Sequence, residues 1–302
     1  MNNNQKKDIN VICFGEVLWD NLPSGRKPGG APMNVAYHLN KLGIKGTLIS
    51  RVGDDQDGRD LIDVLAGLAI DVQYCQVDRL NKTSTVEVNI TATHEAEYDI
   101  VFPVAWDFME HHASFDVLVE QSDAIVFGSL ASRNEVTRNT LLQLIDRSRY
   151  RVLDVNLRAP HYNKNIMEPL LGMANLLKLN TQELFLLTDW YHSGPLTEKE
   201  RVKLLQSKFK IDEILVTKGG EGSVFYHQNE VYHQSAFAVE VKDTVGSGDS
   251  FLAAFLAKRL SGFSIVESLS FASCVAGFIT TKNGACPNYQ VAELESFNYL
   301  PG

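Results

Sequence analysis

The chain has 302 residues, of which 44% are hydrophobic, and a formal net charge of -9 at pH 7. This length allows a large core in one α/β domain or in two domains, and the acidic balance without a basic run argues against nucleic acid and anionic membranes as partners. The amino-terminal residues lack the apolar segment of a signal peptide, and no stretch reaches membrane-spanning length. We therefore expect a cytoplasmic protein.

Short apolar runs alternate with helical patterns along most of the chain. The runs are at 11–14, 47–52, 124–127, 152–155 and 176–179, and the helical patterns are at 32–42, 58–68, 134–147 and 165–174. This alternation predicts a largely parallel sheet with helices on both faces, in which ligands bind at the carboxyl ends of the strands. We expect the polar residues that follow these strands to lie near one another, namely Asp20, Asn156, Arg158, Asn180, Glu183 and Lys218.

One region breaks the alternation. From residue 84 to 90 the apolar side chains Val86, Val88 and Ile90 occupy every second place, and a second extended piece follows at 97–101. This pattern predicts an antiparallel hairpin with one covered face. From the pattern alone, the hairpin could equally be a peripheral part of the main domain.

The segment from Asp243 to Asp249 reads DTVGSGD and leads into an apolar helical run. Small residues at the start of a helix leave N–H groups that favour an anion, together with the helix dipole. A carboxylate there would repel the anion unless it accepts a proton, as a base does in phosphoryl transfer to an alcohol. Asp249 is thus a candidate catalytic base, and Gly246, Ser247 and Gly248 are candidates for the anion hole. The alternative is an ordinary helix start with Asp249 as a capping acid.

A second cluster lies at 28–36, where Gly29 and Gly30 precede a proline suited to the first helical turn and Asn34 follows one turn later. The glycines let a ligand approach bare backbone, and Asn34 offers both a donor and an acceptor, as binding a polyol requires. The alternative is a glycine loop that only starts a helix.

These two clusters resemble the signatures of the ribokinase-like (PfkB-type) carbohydrate kinases, and among these the chain is most similar to bacterial fructokinases. The first signature is matched from Gly29 to Gly53, the second from Asp243 to Leu256, and the resemblance spans residues 11–288. It implies a three-layer α/β sandwich with a mostly parallel central sheet and a small β-sheet lid.

The resemblance also implies a domain organisation. A single domain would span 8–302 after a polar tail at 1–7, with the lid inserted at 17–30 and 81–105. In the family such a lid covers the sugar and often contacts a second subunit, so a homodimer through the lid is expected. The lid is also shorter, and more polar around 93–95, than the family pattern, so the contacts that would cover the sugar depart from that pattern.

The activity implied by the resemblance is transfer of the γ-phosphoryl group of ATP to a sugar hydroxymethyl group, with Mg²⁺ and, as a further candidate, K⁺. Fructose is favoured by the overall likeness, by Gly15-Glu16 and by 154–158, which resembles a fructokinase D-x-N-x-R segment. Kinases for ribose, 2-keto-3-deoxygluconate or nucleosides such as adenosine remain alternatives, because one fold carries all of them. A sensor that binds sugar or nucleotide without chemistry is an alternative of another class.

The remaining roles are carried over from the family residue by residue. The substrate-binding candidates are Asp20, Gly30, Asn34 and Arg158. The nucleotide-side candidates are Asn180, Thr217, Gly219, Gly222, Ser273 and Asn283. Glu183 would act on Mg²⁺ through water and Asp243 on a monovalent cation.

The residues themselves leave other roles open for some of these positions. Asp20 could be a turn-forming acid, Arg158 could form a surface salt bridge, and Asn180 with Glu183 could form a capping box. The four cysteines show no metal-ligand spacing and are expected to be reduced and non-catalytic.

Overall fold

The fold consists of two β-sheets and the helices packed on the larger one. A computed structural model describes residues 8–22, 25–90 and 96–298. The strands in this part are β1 Asn10–Phe14, β2 Leu18–Leu22, β3 Gly25–Gly29, β4 Lys45–Gly53, β5 Cys75–Asp78, β6 Ser84–Ile90, β7 Ala96–Ile100, β8 Ala124–Gly128, β9 Arg151–Asp154, β10 Leu176–Asn180, β11 Glu213–Thr217, β12 Ser223–His227 and β13 Glu230–Gln234. The α-helices are α1 Ala31–Lys41, α2 Gln56–Gly67, α3 Ala113–Glu120, α4 Glu135–Arg147, α5 Lys164–Met173, α6 Thr181–Asp189, α7 Glu198–Phe209, α8 Ser247–Leu260, α9 Ile265–Thr280 and α10 Val291–Asn298.

The large sheet has nine strands in the order β13-β12-β11-β10-β9-β8-β1-β4-β5. All neighbours from β11 to β5 run parallel, and β12 and β13 continue the sheet in antiparallel pairing. The prediction of a mostly parallel central sheet is confirmed. No helix in the described ranges has both the length and the apolar character needed to cross a bilayer.

Both faces of the large sheet are buried, which explains why its central strands are continuously apolar. Successive side chains of a strand point to opposite faces. In β1, Val11 and Cys13 therefore join a core with α1, α2, α8 and α9. Ile12 and Phe14 join a second core with α3 to α7. This is the predicted three-layer arrangement.

The small sheet has the order β3-β2-β6-β7 and is separate from the large one. The predicted hairpin is its β6–β7 pair, in which Val86 is opposite Ile100 in antiparallel register. Asp20 lies inside β2 of this sheet, paired with Val86 of the parallel neighbour, and not in a turn after a strand of the large sheet. The polar segment at 93–95 lies outside the described residues.

Candidate active site

One cleft of about 610 Å³ lies between the carboxyl ends of the parallel strands and the small sheet. Most of the site residues expected from the sequence line this cleft, including residues of both signature segments. The expected residues that line it are Asp20, Gly30, Asn34, Asn156, Arg158, Asn180, Glu183, Thr217, Gly246, Gly248 and Asp249. The rule that polar residues converge where parallel strands end accounts for the group after β9, β10 and β11.

Two of the expected site residues near the start of α8, Ser247 and Asp243, bond to the protein's own backbone and do not line the cleft. The backbone N–H of Ser247 donates to the Thr244 carbonyl at 3.2 Å, and Ser247 is not among the residues that line the cleft. The Asp243 carboxylate accepts from the backbone N–H of Val245 at 3.0 Å and of Gly284 at 2.8 Å. Asp243 therefore ties the loop before α8 to the turn after α9, and its part in binding a monovalent cation stays a prediction.

Four candidates for nucleotide binding do not line the cleft, namely Gly219, Gly222, Ser273 and Asn283. Gly219 and Gly222 lie in the turn between β11 and β12, where a Cβ on Gly222 would be 2.0 Å from the carbonyl oxygen of Gln234. The Ser273 hydroxyl donates to the Ser235 carbonyl at 2.9 Å, and Asn283 is exposed. Their roles toward adenine stay predictions.

Lys218 was expected to join the residues at the strand ends, and this expectation is wrong. Its Nζ pairs with the Glu198 carboxylate at 2.7 Å, and it is not part of the cleft lining. The neighbouring acid on α7 attracts this lysine away from the sheet edge.

The residues expected to bind an anion, Gly246 to Gly248, lie at the start of α8, and we call them the anion loop. Gly246 precedes the helix with φ +74°, and a Cβ there would lie 2.6 Å from the Ala285 Cα, so only glycine fits without strain. Within the described part of the chain, the backbone N–H groups of Gly248 and Asp249 have no protein acceptor. Gly248 and Asp249 both line the cleft, so these unpaired donors at a helix N-terminus can bind an anion there.

Asp249 stands beside these amides and is held by Asn34 of α1. The Asn34 Nδ2 donates to Asp249 Oδ2 at 2.7 Å, and the Cys286 thiol donates to Asn34 Oδ1 at 3.2 Å. Burial raises the pKa of Asp249, while the Lys178 charge and the Asn34 hydrogen bond act in the opposite direction. The result is a carboxylate with one oxygen anchored and a pKa above its ordinary value, which suits a proton acceptor.

A buried ion pair lies next to this carboxylate and was not expected from the sequence. Lys178 Nζ of β10 contacts both Asp154 carboxylate oxygens, at 2.9 and 2.8 Å. Burial opposes the charge on Lys178, but Asp154 and Asp249 more than offset it and raise the lysine pKa. A Cβ on Gly248 would be 3.0 Å from this Nζ, so the ammonium group lies against the anion loop.

Glu16 is a second acid that the sequence analysis did not select as a site residue. It follows β1, is 3% exposed and lines the cleft. Its Oε1 accepts the backbone N–H of Ala31 at 3.3 Å. Burial raises its pKa to about 7.

Arg158 is a cation that lines the cleft. It is exposed, and its guanidinium donates to the Leu157 carbonyl at 3.2 Å. The pKa of Glu16 and that of Asp20 are each lowered by its charge, against the larger effect of burial. Its side chain lines the cleft, and it forms no salt bridge with any side chain that the structure describes.

Asn180 and Glu183 form the capping box at the start of α6 that the sequence left open as an alternative. Glu183 Oε2 accepts the Asn180 N–H at 2.8 Å, while Asn180 Oδ1 accepts the Glu183 N–H at 2.9 Å. The other oxygen accepts the Leu157 N–H at 2.8 Å. A carboxylate oxygen keeps further lone pairs, so a hydrated Mg²⁺ fits beside Glu183 better than a directly ligated one.

The comparisons with known proteins agree with this geometry. Residues 14–291 match the model of the pfkB family carbohydrate kinases. A fructokinase from Klebsiella pneumoniae is 29% identical over 304 residues, covering 91% of this chain and 94% of that protein. Fructokinase-2 from Solanum lycopersicum is 28% identical, covering 97% and 96%.

A solved structure has the same fold. The crystal structure of an uncharacterized sugar kinase from Pyrococcus horikoshii in complex with ATP superposes with a TM-score of 0.80 and 25% identity, over 95% of this chain and 97% of that one. The family match covers far more than half of the chain, including both segments that build the cleft. The chain therefore belongs to the pfkB family of carbohydrate kinases and is a sugar phosphotransferase.

Proposed function

We propose that the protein transfers the γ-phosphoryl group of ATP to a hydroxymethyl group of a neutral sugar, with fructose as the preferred acceptor. The observation that carries the proposal is the placement of Asp249 beside unpaired amides at the start of α8, within one cleft. Phosphoryl transfer to an alcohol requires these two elements, a proton acceptor and donors for the transferred charge.

Asp249 would accept the proton of the attacking hydroxyl. Its Oδ2 is held by Asn34, which leaves Oδ1 for the sugar. Burial favours the protonated carboxyl, so this site makes Asp249 a stronger base than an exposed aspartate. The amides of Gly248 and Asp249 would bind the charge of the transferred group.

The apolar part of the cleft would limit access of water. Leu18, Val86 and Ile100 of the small sheet line it on one side and are almost fully buried. Water competes with the sugar as a phosphoryl acceptor, so excluding it favours transfer to the sugar. Movement of the small sheet over the sugar is part of this proposal.

ATP and Mg²⁺ are assigned from chemistry and from the family. The nucleotide phosphates would approach the amides at the start of α8, and Thr217 at the end of β11 also lines the cleft. Glu183 would hold Mg²⁺ through its water ligands, and the ion would neutralise phosphate charge. Asp243 remains the candidate for a monovalent cation.

Fructose is proposed from two kinds of support. The Klebsiella and tomato relatives are named fructokinases. Several groups that can bond to sugar hydroxyls line the cleft, among them Asp20, Asn34, Asn156 and Arg158.

The test is ADP release with Mg-ATP and a panel of acceptors: fructose, ribose, glucose and adenosine. We expect fructose to give the highest kcat/KM. Faster turnover of another acceptor would refute the choice of fructose, and ADP release independent of every acceptor would refute the kinase activity. Product analysis by mass spectrometry distinguishes transfer to the sugar from hydrolysis.

A further inference from the structure

Arg133 is a buried arginine between β8 and α4 whose guanidinium joins three other segments of the chain. Its side chain is 3% exposed, and its Nε and Nη2 pair with the two oxygens of the buried Asp107 at 2.7 and 2.8 Å. Nη2 also donates to the Val101 carbonyl at 2.7 Å, and Nη1 donates to the Ile100 carbonyl at 3.4 Å. Nη1 lies 3.3 Å from Nε2 of His161.

The first of these segments is the connection by which the chain leaves the small sheet. Ile100 is the last residue of β7, and its side chain lines the cleft. The guanidinium lies 4.9 Å from the ring centroid of Phe102 and 4.0 Å from that of Trp106, which follow in the same connection. Arg133 therefore ties the end of β7 to the turn that carries Asp107.

His161 belongs to the loop after β9, which carries Arg158. The His161 N–H donates to the Arg158 carbonyl at 2.8 Å, and the Arg158 side chain lines the cleft. Arg133 itself is not part of the cleft lining. Any effect of Arg133 on a bound ligand must therefore pass through Ile100 and the loop of Arg158.

We propose that Arg133 is a positioning residue for the sugar acceptor, which holds Ile100 and the loop of Arg158 in place around the sugar. This inference rests on the proposed kinase function and adds to it a residue outside the cleft. Neutralising Asp107 needs only a positive charge, which a lysine would also supply. Arginine alone combines several N–H donors in fixed directions with a planar group that packs against aromatic rings.

The experiment compares Arg133→Lys with the wild type, using the acceptor of the panel above that gives the highest kcat/KM. Lysine keeps a positive charge for Asp107, but its single ammonium group cannot also reach both carbonyls and the imidazole. The KM for the acceptor should rise about tenfold, the effect of losing one hydrogen bond from a charged donor, while the KM for ATP stays within about twofold. A loss of folded protein would lower kcat and leave both KM values unchanged.

Arg201→Lys is the matched control. Arg201 makes the same kinds of contact, with the Asp189 carboxylate at 2.6 Å, the Phe185 carbonyl at 3.4 Å and the Phe185 ring at 4.0 Å. Neither Arg201 nor these partners line the cleft. The control should leave the KM for the acceptor unchanged.

A second variant tests the same residue without changing the buried ion pair. Phe102 is 53% exposed, so Phe102→Leu removes the ring beside the guanidinium and leaves the core intact. The KM for the acceptor should rise about two- to threefold, as expected for a cation–π contact at an exposed site. Its control is Phe263→Leu, because the Phe263 ring is 40% exposed, lies 4.2 Å from Lys258 Nζ and is not part of the cleft lining.

The outcomes separate this inference from the proposed function. An unchanged KM for the acceptor in Arg133→Lys, or an equal rise in the KM for ATP, overturns the inference and leaves the kinase function standing. A rise in the KM for the acceptor as large in Arg201→Lys also overturns it. If Arg133→Lys does not fold, Phe102→Leu decides, and an acceptor KM equal to that of Phe263→Leu overturns the inference. A wild-type protein that phosphorylates no acceptor refutes the proposed function, and this inference with it.

Discussion

Replacement of Lys178 by methionine should destabilise the protein strongly. Lys178 Nζ contacts both oxygens of Asp154 at 2.9 and 2.8 Å, and Asp154 is 4% exposed. Methionine keeps an unbranched apolar stem of similar length, so most of the packing survives while the charge is lost. The variant would leave a buried carboxylate without a counter-charge, and breaking such a pair costs about 3 to 5 kcal/mol of unfolding free energy.

The assay is equilibrium unfolding in urea followed by tryptophan fluorescence. With a slope of about 3 kcal/mol per molar urea for a chain of this size, the midpoint should fall by about 1 M or more. Lys218→Met is the matched control, because Lys218 also pairs with a carboxylate, at 2.7 Å, but both side chains are 23% exposed. It should cost less than about 1 kcal/mol.

A double variant isolates the charge from the packing. Asp154→Asn in the Lys178→Met background removes the stranded carboxylate and should recover part of the lost stability. Equal midpoints for Lys178→Met and Lys218→Met would refute the reasoning, because they would mean that the buried pair contributes no more than the partly exposed pair of Lys218 and Glu198.

Two further predictions concern the anchoring of Asp249 and the shape of the anion loop. Asn34→Leu removes a hydrogen bond that lowers the pKa of Asp249, so the acidic limb of the kcat/KM profile should move to higher pH. Cys286→Ala should cause a smaller shift in the same direction. Cys286→Ser should cause a still smaller one, because serine retains a donor for Asn34. Identical profiles for all three variants and the wild type would contradict a role of the Asn34–Asp249 hydrogen bond in setting the pKa of Asp249. Gly246→Ala should cost more than about 2 kcal/mol in urea unfolding, whereas Gly43→Ala, also at positive φ but with open space around it, should cost about 1 kcal/mol. Similar losses at both glycines would mean that the crowding at Gly246 is unimportant.

The architecture followed from sequence because it depends on local patterns. The apolar runs that became β1, β4, β8, β9 and β10 are separated by helical periodicity, and this arrangement permits few topologies. The antiparallel edge of β12 and β13 was not predicted, although Gly219–Gly222 is a turn signal between β11 and β12. The hairpin at β6 and β7 was found from its alternation alone.

The site was predicted only where a motif has a fixed spacing. Asp249, Asn34 and the glycines of both signatures lie within short patterns, so their neighbourhood could be inferred. Lys178 and Cys286 carry no such pattern, and their contacts with Asp154 and Asn34 join positions far apart in the chain. A charged residue inside the apolar run of β10 was the one available signal for Lys178, because a lysine in a buried strand requires a partner.

Lys218 was expected at the cleft from its position in the sequence but is not found there. Its position after β11 fitted the rule for strand ends, but its partner Glu198 is on α7, which sequence pattern could not place. Glu16 was noted in the sequence only as part of Gly15-Glu16. It was not chosen as a site residue, because its burial at the cleft is visible only in the three-dimensional structure.

The most direct test of the account is the turnover of Asp249→Asn with fructose and Mg-ATP. Asparagine has the same shape but cannot accept the hydroxyl proton, so kcat should fall by about 10² to 10⁴-fold while calorimetric affinities for ATP and fructose stay within about threefold. Turnover close to that of the wild type would contradict the role of Asp249 as the base.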